Sequence, residues 1–310
     1  SRINRNGGGN ELYVRGGSSY SVTEEIEIGS TSAGDDGLLQ VSGSGTTVTG
    51  GSNLWVGING SDNRFELLDE AAATIGHDLV LGENDGSEGN RLEIHNADVD
   101  VQHYTYIGSE GSGQSLLVTE NGELDASGEP IYVGYRSDDN ELVVSNGANA
   151  LSAFLRVGWN TGSDNNSVLI TGAGTTYSNV GHDVTLGAVD SDNNEIRVEN
   201  GARFYNNLAG DAMEIGRESN AYHNTLTVTG SGSVWSNTGG NVFLGTAGDA
   251  NTVVVDDQAE AYVGNYFYVG YEGTAQENLL LVTNGGSLTV AEDIRFGAAA
   301  GAHSNRLVVS

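Results

Sequence analysis

The sequence contains no cysteine and no lysine, and only one proline. The lack of cysteine excludes disulfides and thiolate metal sites. It leaves the compartment open, because oxidising surroundings permit disulfides without requiring them. In the absence of lysine, all 12 basic residues are arginine, against 42 acidic residues, for a formal net charge of −30. Nucleic acid and anionic membranes are therefore poor partners, since both are held by basic side chains that neutralise phosphates or headgroups. No apolar run approaches the roughly 18 residues of a membrane span, so no membrane insertion by this segment is expected. Glycine, at 47 of 310 residues, falls well short of one in three, which excludes collagen. Disorder is argued against by what is present: 37% of the residues are hydrophobic, and Val, Ile and Leu alternate with polar residues.

The dominant feature is an internal repeat. An apolar-X-apolar-Gly ending closes at Gly29, Gly57, Gly82, Gly108, Gly134, Gly158, Gly187, Gly216, Gly245, Gly270 and Gly297, a mean spacing of about 27 residues. A second signal, Asn-X-apolar-X-apolar, starts at Asn10, Asn63, Asn90, Asn140, Asn166, Asn194, Asn224, Asn251, Asn278 and Asn305. In two further coils Gly37 and Gln114 hold that place. Between the two signals lies turn chemistry that tolerates positive φ, either Asn-Gly, as at Asn121-Gly122, or Ser/Thr-Gly-X-Gly, as from Thr171. Each coil thus reads as three short strands and three turns. The predicted fold is all-β: a parallel β-solenoid, or β-helix, of about eleven coils, forming a single repeat domain over residues 1–310. A rise of about 4.8 Å per coil makes a rod on the order of 50 Å long. Identical amides one coil apart can bond along the axis, because each both donates and accepts, so the Asn column is expected to be a structural ladder.

Segments such as Val228-Thr229-Gly230-Ser231-Gly232-Ser233-Val234-Trp235-Ser236-Asn237 and Leu281-Val282-Thr283-Asn284-Gly285-Gly286-Ser287-Leu288 resemble the passenger repeats of bacterial autotransporter-like surface proteins. The resemblance covers nearly the whole chain. It implies a secreted β-helix, extracellular or displayed on a bacterial cell surface. The family's outer-membrane barrel does not follow Ser310, so either the barrel is left out or export takes another route.

Three features are candidates for function. In all ten internal coils the loop after the ladder glycine carries acid: Asp35, Asp36, Asp62, Asp85, Glu88, Asp138, Asp139, Asp164, Asp190 and Asp192 among them. Stacked along one edge they repel, and calcium, held by oxygen ligands, would relieve this; diffuse counterions are the plainer alternative. The second candidate is the outward face of the third strand, two residues before each ladder glycine. Its partner-binding residues are Trp55, Tyr106, Tyr132, Arg156, Phe243 and Tyr268, at spacings that allow stacking and cation–π contact between coils. Outward aromatics can equally serve only to stabilise the sheet. The third is an apolar patch on the first strand near the chain end, at Val254, Leu279 and Leu281 with Val308, which suits an interface. The repeated Gly-His-Asp at His77 and His182 reads as turn chemistry, since those coils stand roughly 19 Å apart.

No cofactor other than calcium is implied, and no cluster of Arg, Asp and aromatic residues marks a lyase site. The expectation is a non-catalytic, extracellular structural or adhesive solenoid. Neither end of the chain shows a capping unit, which fits either a piece of a longer solenoid or, the favoured expectation, head-to-tail pairing of the protein with itself into filaments. The alternative is a β-helix that binds or cleaves cell-surface or extracellular polysaccharide.

Overall fold

The computed structural model describes residues 1–207 and 211–310. Among them every secondary-structure element is a strand, and every pairing between strands is parallel and one coil apart. The protein is a β-solenoid of about eleven coils, as the repeat predicts. First strands, such as Arg91–His95 and Glu195–Glu199, form one 12-stranded sheet. Second and third strands join in one 21-stranded sheet.

That joining has a local cause. In most coils a turn separates the second strand from the third, as between Asp98–Val101 and Thr105–Ile107. In two successive coils a single strand runs through both, Glu123–Val133 and Asn149–Val157. They pair from Glu123↔Asn149 to Val133↔Val157, with a register shift between Ala126 and Pro130. The protein's one proline therefore sits at an irregularity, where a missing N–H costs the ladder least.

Period-2 alternation sends one side of each strand inward. Leu92 and Ile94 stack on Leu116 and Val118 in a continuous column, all fully buried. Three of the largest interior side chains, Tyr177, Phe204 and Trp235, follow one another along the second strands. The same three strands end in a short amide ladder that the Asn repeat does not announce. Asn179 Nδ2 donates to Asn206 Oδ1 (2.9 Å), and Asn206 Nδ2 to Asn237 Oδ1 (2.7 Å).

The main Asn ladder occupies the corner between third and first strands. The backbone N–H of Asn140 donates to Asn166 Oδ1 (3.0 Å), and that of Asn166 to Asn194 Oδ1 (2.9 Å). The chain of bonds continues through Asn224, Asn251 and Asn278 to Asn305. Towards the other end it passes through Gln114, whose Oε1 accepts from the Asn90 N–H, then through Asn63 to Gly37. Each ladder glycine is what makes room. A Cβ on Gly134 would lie 2.2 Å from Asn166 Nδ2, and one on Gly187 would lie 2.1 Å from Asn224 Nδ2. These glycines also hold φ of +74° and +71°, a region where side chains are strained.

The first rung corrects one expectation. Asn10 stands in register, but its side chain is exposed and donates to the Gly7 carbonyl (2.8 Å) rather than to a ladder partner. Asn4 replaces it. Asn4 follows Ile3, which pairs with Ile28, so it occupies the ladder-glycine position with φ +57°. Its Oδ1 accepts the Asn10 N–H (2.7 Å). A Cβ on Gly37 would lie 2.7 Å from Asn4 Nδ2, so the buried Asn4 amide fills the space an asparagine at 37 would need. Asparagine and glycine have exchanged places, and the ladder remains filled.

Candidate functional site

The outward column of the third strand is in register along the rod. Trp55 pairs with Val80, Val80 with Tyr106, Tyr106 with Tyr132 and Tyr132 with Arg156. Farther on, Phe243 pairs with Tyr268 and Tyr268 with Arg295. The rings of Tyr106 and Tyr132 stack at 5.1 Å with planes 5° apart. Tyr135 packs edge-on against both, at 5.4 and 5.1 Å. Arg156 caps the cluster: its guanidinium lies 3.9 Å from the Trp159 ring centroid, and Nη1 donates to the Tyr132 hydroxyl at 3.3 Å.

The same unit recurs. Phe243 and Tyr268 stack at 4.9 Å and 8°, with Tyr271 edge-on to both at 4.7 and 5.0 Å. Arg295 donates to the Tyr268 hydroxyl at 3.2 Å and lies 3.9 Å from the Tyr266 ring centroid. The two units are five coils apart, about 24 Å. Tyr135 and Tyr271 each begin the loop after a ladder glycine, so the period alone brings them against the pairs they flank. Burial pushes the phenols of Tyr106 and Tyr132 above their ordinary range, with neighbouring tyrosines adding to the effect. The stacked pair of the first unit therefore presents neutral aromatic surface beside the Arg156 cation. Between them Glu214, whose carboxyl burial raises, is held by Arg217 at 3.4 Å.

The apolar patch on the first strand is half-buried at Val254, Leu279 and Leu281 and exposed at Val308. Val254, Leu281 and Val308 form one column, with Leu279 two residues along on the same face. Leu117, Val143 and Leu169 occupy the equivalent outward positions midway along the rod and are likewise half-buried. The same strand position carried through every coil leads to them.

The loop acids have backbone roles. Asp35, Asp138, Asp164 and Asp192 stand two residues before the ladder position, and each accepts a backbone N–H from the next coil. The donors are Ser61, Asp164, Asp192 and Tyr222, all at 2.7 Å. Asp36, Asp62 and Asp139 immediately precede the ladder position with φ of +60°, +56° and +58°. Asp190 also has positive φ, and Asp85 and Glu88 are exposed. Among the described residues, no three of these loop carboxylates bring oxygens within 4.8 Å of one another.

One cluster does converge, and it lies elsewhere. His77, Asp78 and His103 place donor atoms within 4.8 Å of one another. His103 lies outside the Gly-His-Asp motif, so only the coil period brings it beside Asp78. His182, in the other copy of the motif, pairs instead with Asp211 (2.9 Å) and stacks on Phe154 at 4.4 Å.

No protein-family model matches the chain, and no curated protein matches it. Among solved structures, the crystal structure of a TibC-catalysed, hyper-glycosylated TibA fragment aligns with 94% of this chain and 100% of its own. At 14% identity and a TM-score of 0.30, that similarity carries no argument about function.

Proposed function

We propose that this protein is an extracellular structural and adhesive solenoid, displayed on a bacterial surface, whose contact face is the outward side of the third strands. The observation that carries the reading is the repeated unit of two stacked rings, one edge-on tyrosine and one arginine, at Tyr106/Tyr132/Tyr135/Arg156 and Phe243/Tyr268/Tyr271/Arg295. Cross-strand stabilisation needs stacked rings but not the same arginine cap twice. Aromatic and arginine side chains are the residues that dominate contact surfaces. The resemblance of the repeats to autotransporter-like passengers supports the location. The apolar column at Val254 and Leu281 supports lateral self-association.

A second reading, polysaccharide binding, draws on the same units: flat rings suit sugar faces, and arginine suits carboxylate groups. The test is a glycan array and a cell-adhesion assay with the parent, Tyr106→Ala and Tyr268→Ala, each checked for unchanged coil content. Adhesion that falls at least tenfold in either variant supports the contact face. Adhesion unchanged in both removes it, and release of reducing ends from acidic polysaccharide would overturn the non-catalytic reading.

A further inference from the structure

We propose that His77, Asp78 and His103 form a binding site for one transition-metal ion of the zinc, nickel or copper class, which would bridge adjacent coils. The site follows from the fold. Asp78 immediately precedes the third strand of its coil, Leu79–Leu81, and its Oδ1 accepts the backbone N–H of Tyr104 (3.1 Å) one coil on. That bond holds the carboxylate upright against the next turn, where His103 precedes Tyr104. His103 Nδ1 lies 2.6 Å from Asp78 Oδ1, and His77 Nδ1 lies 3.2 Å from Asp78 Oδ2. The two rings face each other with centroids 4.2 Å apart. A fourth donor is at hand: Asn53 Oδ1 lies 3.0 Å from His77 Nδ1.

Tetrahedral coordination at zinc-like bond lengths sets donors about 3.3 Å apart. The cluster spans that value and stays within 4.8 Å, so a small rotation of the exposed His77 ring closes it. Two imidazoles and one carboxylate select a borderline ion over calcium or magnesium, which take oxygen donors. The chain's net charge of −30 draws cations to the surface. The site is independent of the contact face proposed above, although it adjoins it: the His103 ring packs on Tyr104 at 4.0 Å, and Tyr104 reaches Tyr106 at 5.8 Å.

The other histidines provide controls. Among the described residues, His95 has Glu93 and Glu120 nearby but no second imidazole, and His182 pairs with Asp211 alone. The experiment is calorimetric titration of Zn²⁺ into the full chain, with thermal melts of the same samples. One equivalent should bind and raise the melting temperature. His77→Gln and His103→Gln should each weaken binding at least tenfold and abolish the thermal gain, while His182→Gln and His95→Gln leave both unchanged. Asp78→Asn, which keeps an acceptor for the Tyr104 N–H, should fold and also weaken binding. Absence of stoichiometric uptake, or uptake in His77→Gln and His103→Gln undiminished from that of the parent, overturns the proposal. Displacement of the ion by a hundredfold excess of Ca²⁺ overturns the assigned metal class.

Discussion

Asp164 and Asn166 are two residues apart, and each reaches one coil away, in opposite directions. Asp164 Oδ1 accepts the Asp192 N–H at 2.7 Å on the solvent side of the loop. Asn166 Oδ1 accepts both the N–H and the side-chain N–H of Asn140, at 3.0 and 2.9 Å, in the dry corner of the coil. The amide ladder is unbroken from Gly37 to Asn305, and its one substitution keeps the chemistry, with Gln114 carrying the same amide. The loop column is mixed: serine takes the acid's place at Ser61 and Ser112, whose hydroxyls accept the N–H groups of Glu88 and Asp138. A neutral group that both donates and accepts can stack without charge repulsion and be buried. A carboxylate only accepts, repels its copy and must stay near water. The buried ladder therefore admits almost nothing but amides, and the loop edge admits any short acceptor.

Breaking the buried ladder on its glycine side should have the largest effect. Gly134→Ala adds a methyl group against the Asn166 amide at a φ of +74°, and should lower stability by about 2–4 kcal/mol. The exchange at the first rung indicates how to reverse it. Asn4 at the glycine position accepts the N–H of Asn10, six residues on, while Gly37 leaves the space. The pair Gly134→Asn with Asn166→Gly reproduces that arrangement towards Asn140. It should recover at least half of the loss caused by Gly134→Asn alone, as measured by denaturant unfolding. No recovery would make the first rung a peculiarity of the chain start.

Next in size is loss of a rung. Asn166→Ala leaves the Asn140 backbone N–H and one of its two side-chain N–H groups unpaired in a fully buried corner, the other still bonded to Ser137 Oγ, and should cost about 1–3 kcal/mol. Asn10→Ala, whose side chain reaches only the Gly7 carbonyl at the surface, should stay within about 0.5 kcal/mol of the parent. Equal losses in the two variants would erase the distinction between the first rung and the others.

These cases mark what the chain makes legible by itself. Period, strand count, ladder glycines and the outward aromatic column follow from residues that recur at one position. A repeat forces equal positions into contact, so Tyr106 meets Tyr132 and Phe243 meets Tyr268. What escapes is pairing between different positions of adjacent coils. Asn4 fills the space at Gly37, and His103 reaches Asp78. Such contacts join unlike positions, so a column of like residues at one position does not mark them. The loop acids show in the sequence as acids but not as acceptors for the backbone of the next coil.

The smallest expected effect separates charge from acceptor in that loop. Burial raises the Asp138 carboxyl above its ordinary value; the Asp164 N–H it accepts acts against this, and the Asp164 charge adds to it. A carboxyl raised on folding favours the native state most where it is protonated, below the unfolded value of about 3.9. That contribution is lost as pH rises through the raised native value, and at neutral pH the charged form is a net liability. Asp138→Asn keeps an oxygen for the Asp164 N–H and removes the charge. It should be slightly more stable than the parent at pH 7, by less than about 1 kcal/mol, and the gap should close below about pH 4. Melting curves of both proteins from pH 3 to 8 measure this. A variant less stable than the parent at pH 7 would mean that the carboxylate's charge has a partner, and would return the loop edge to consideration as a cation site.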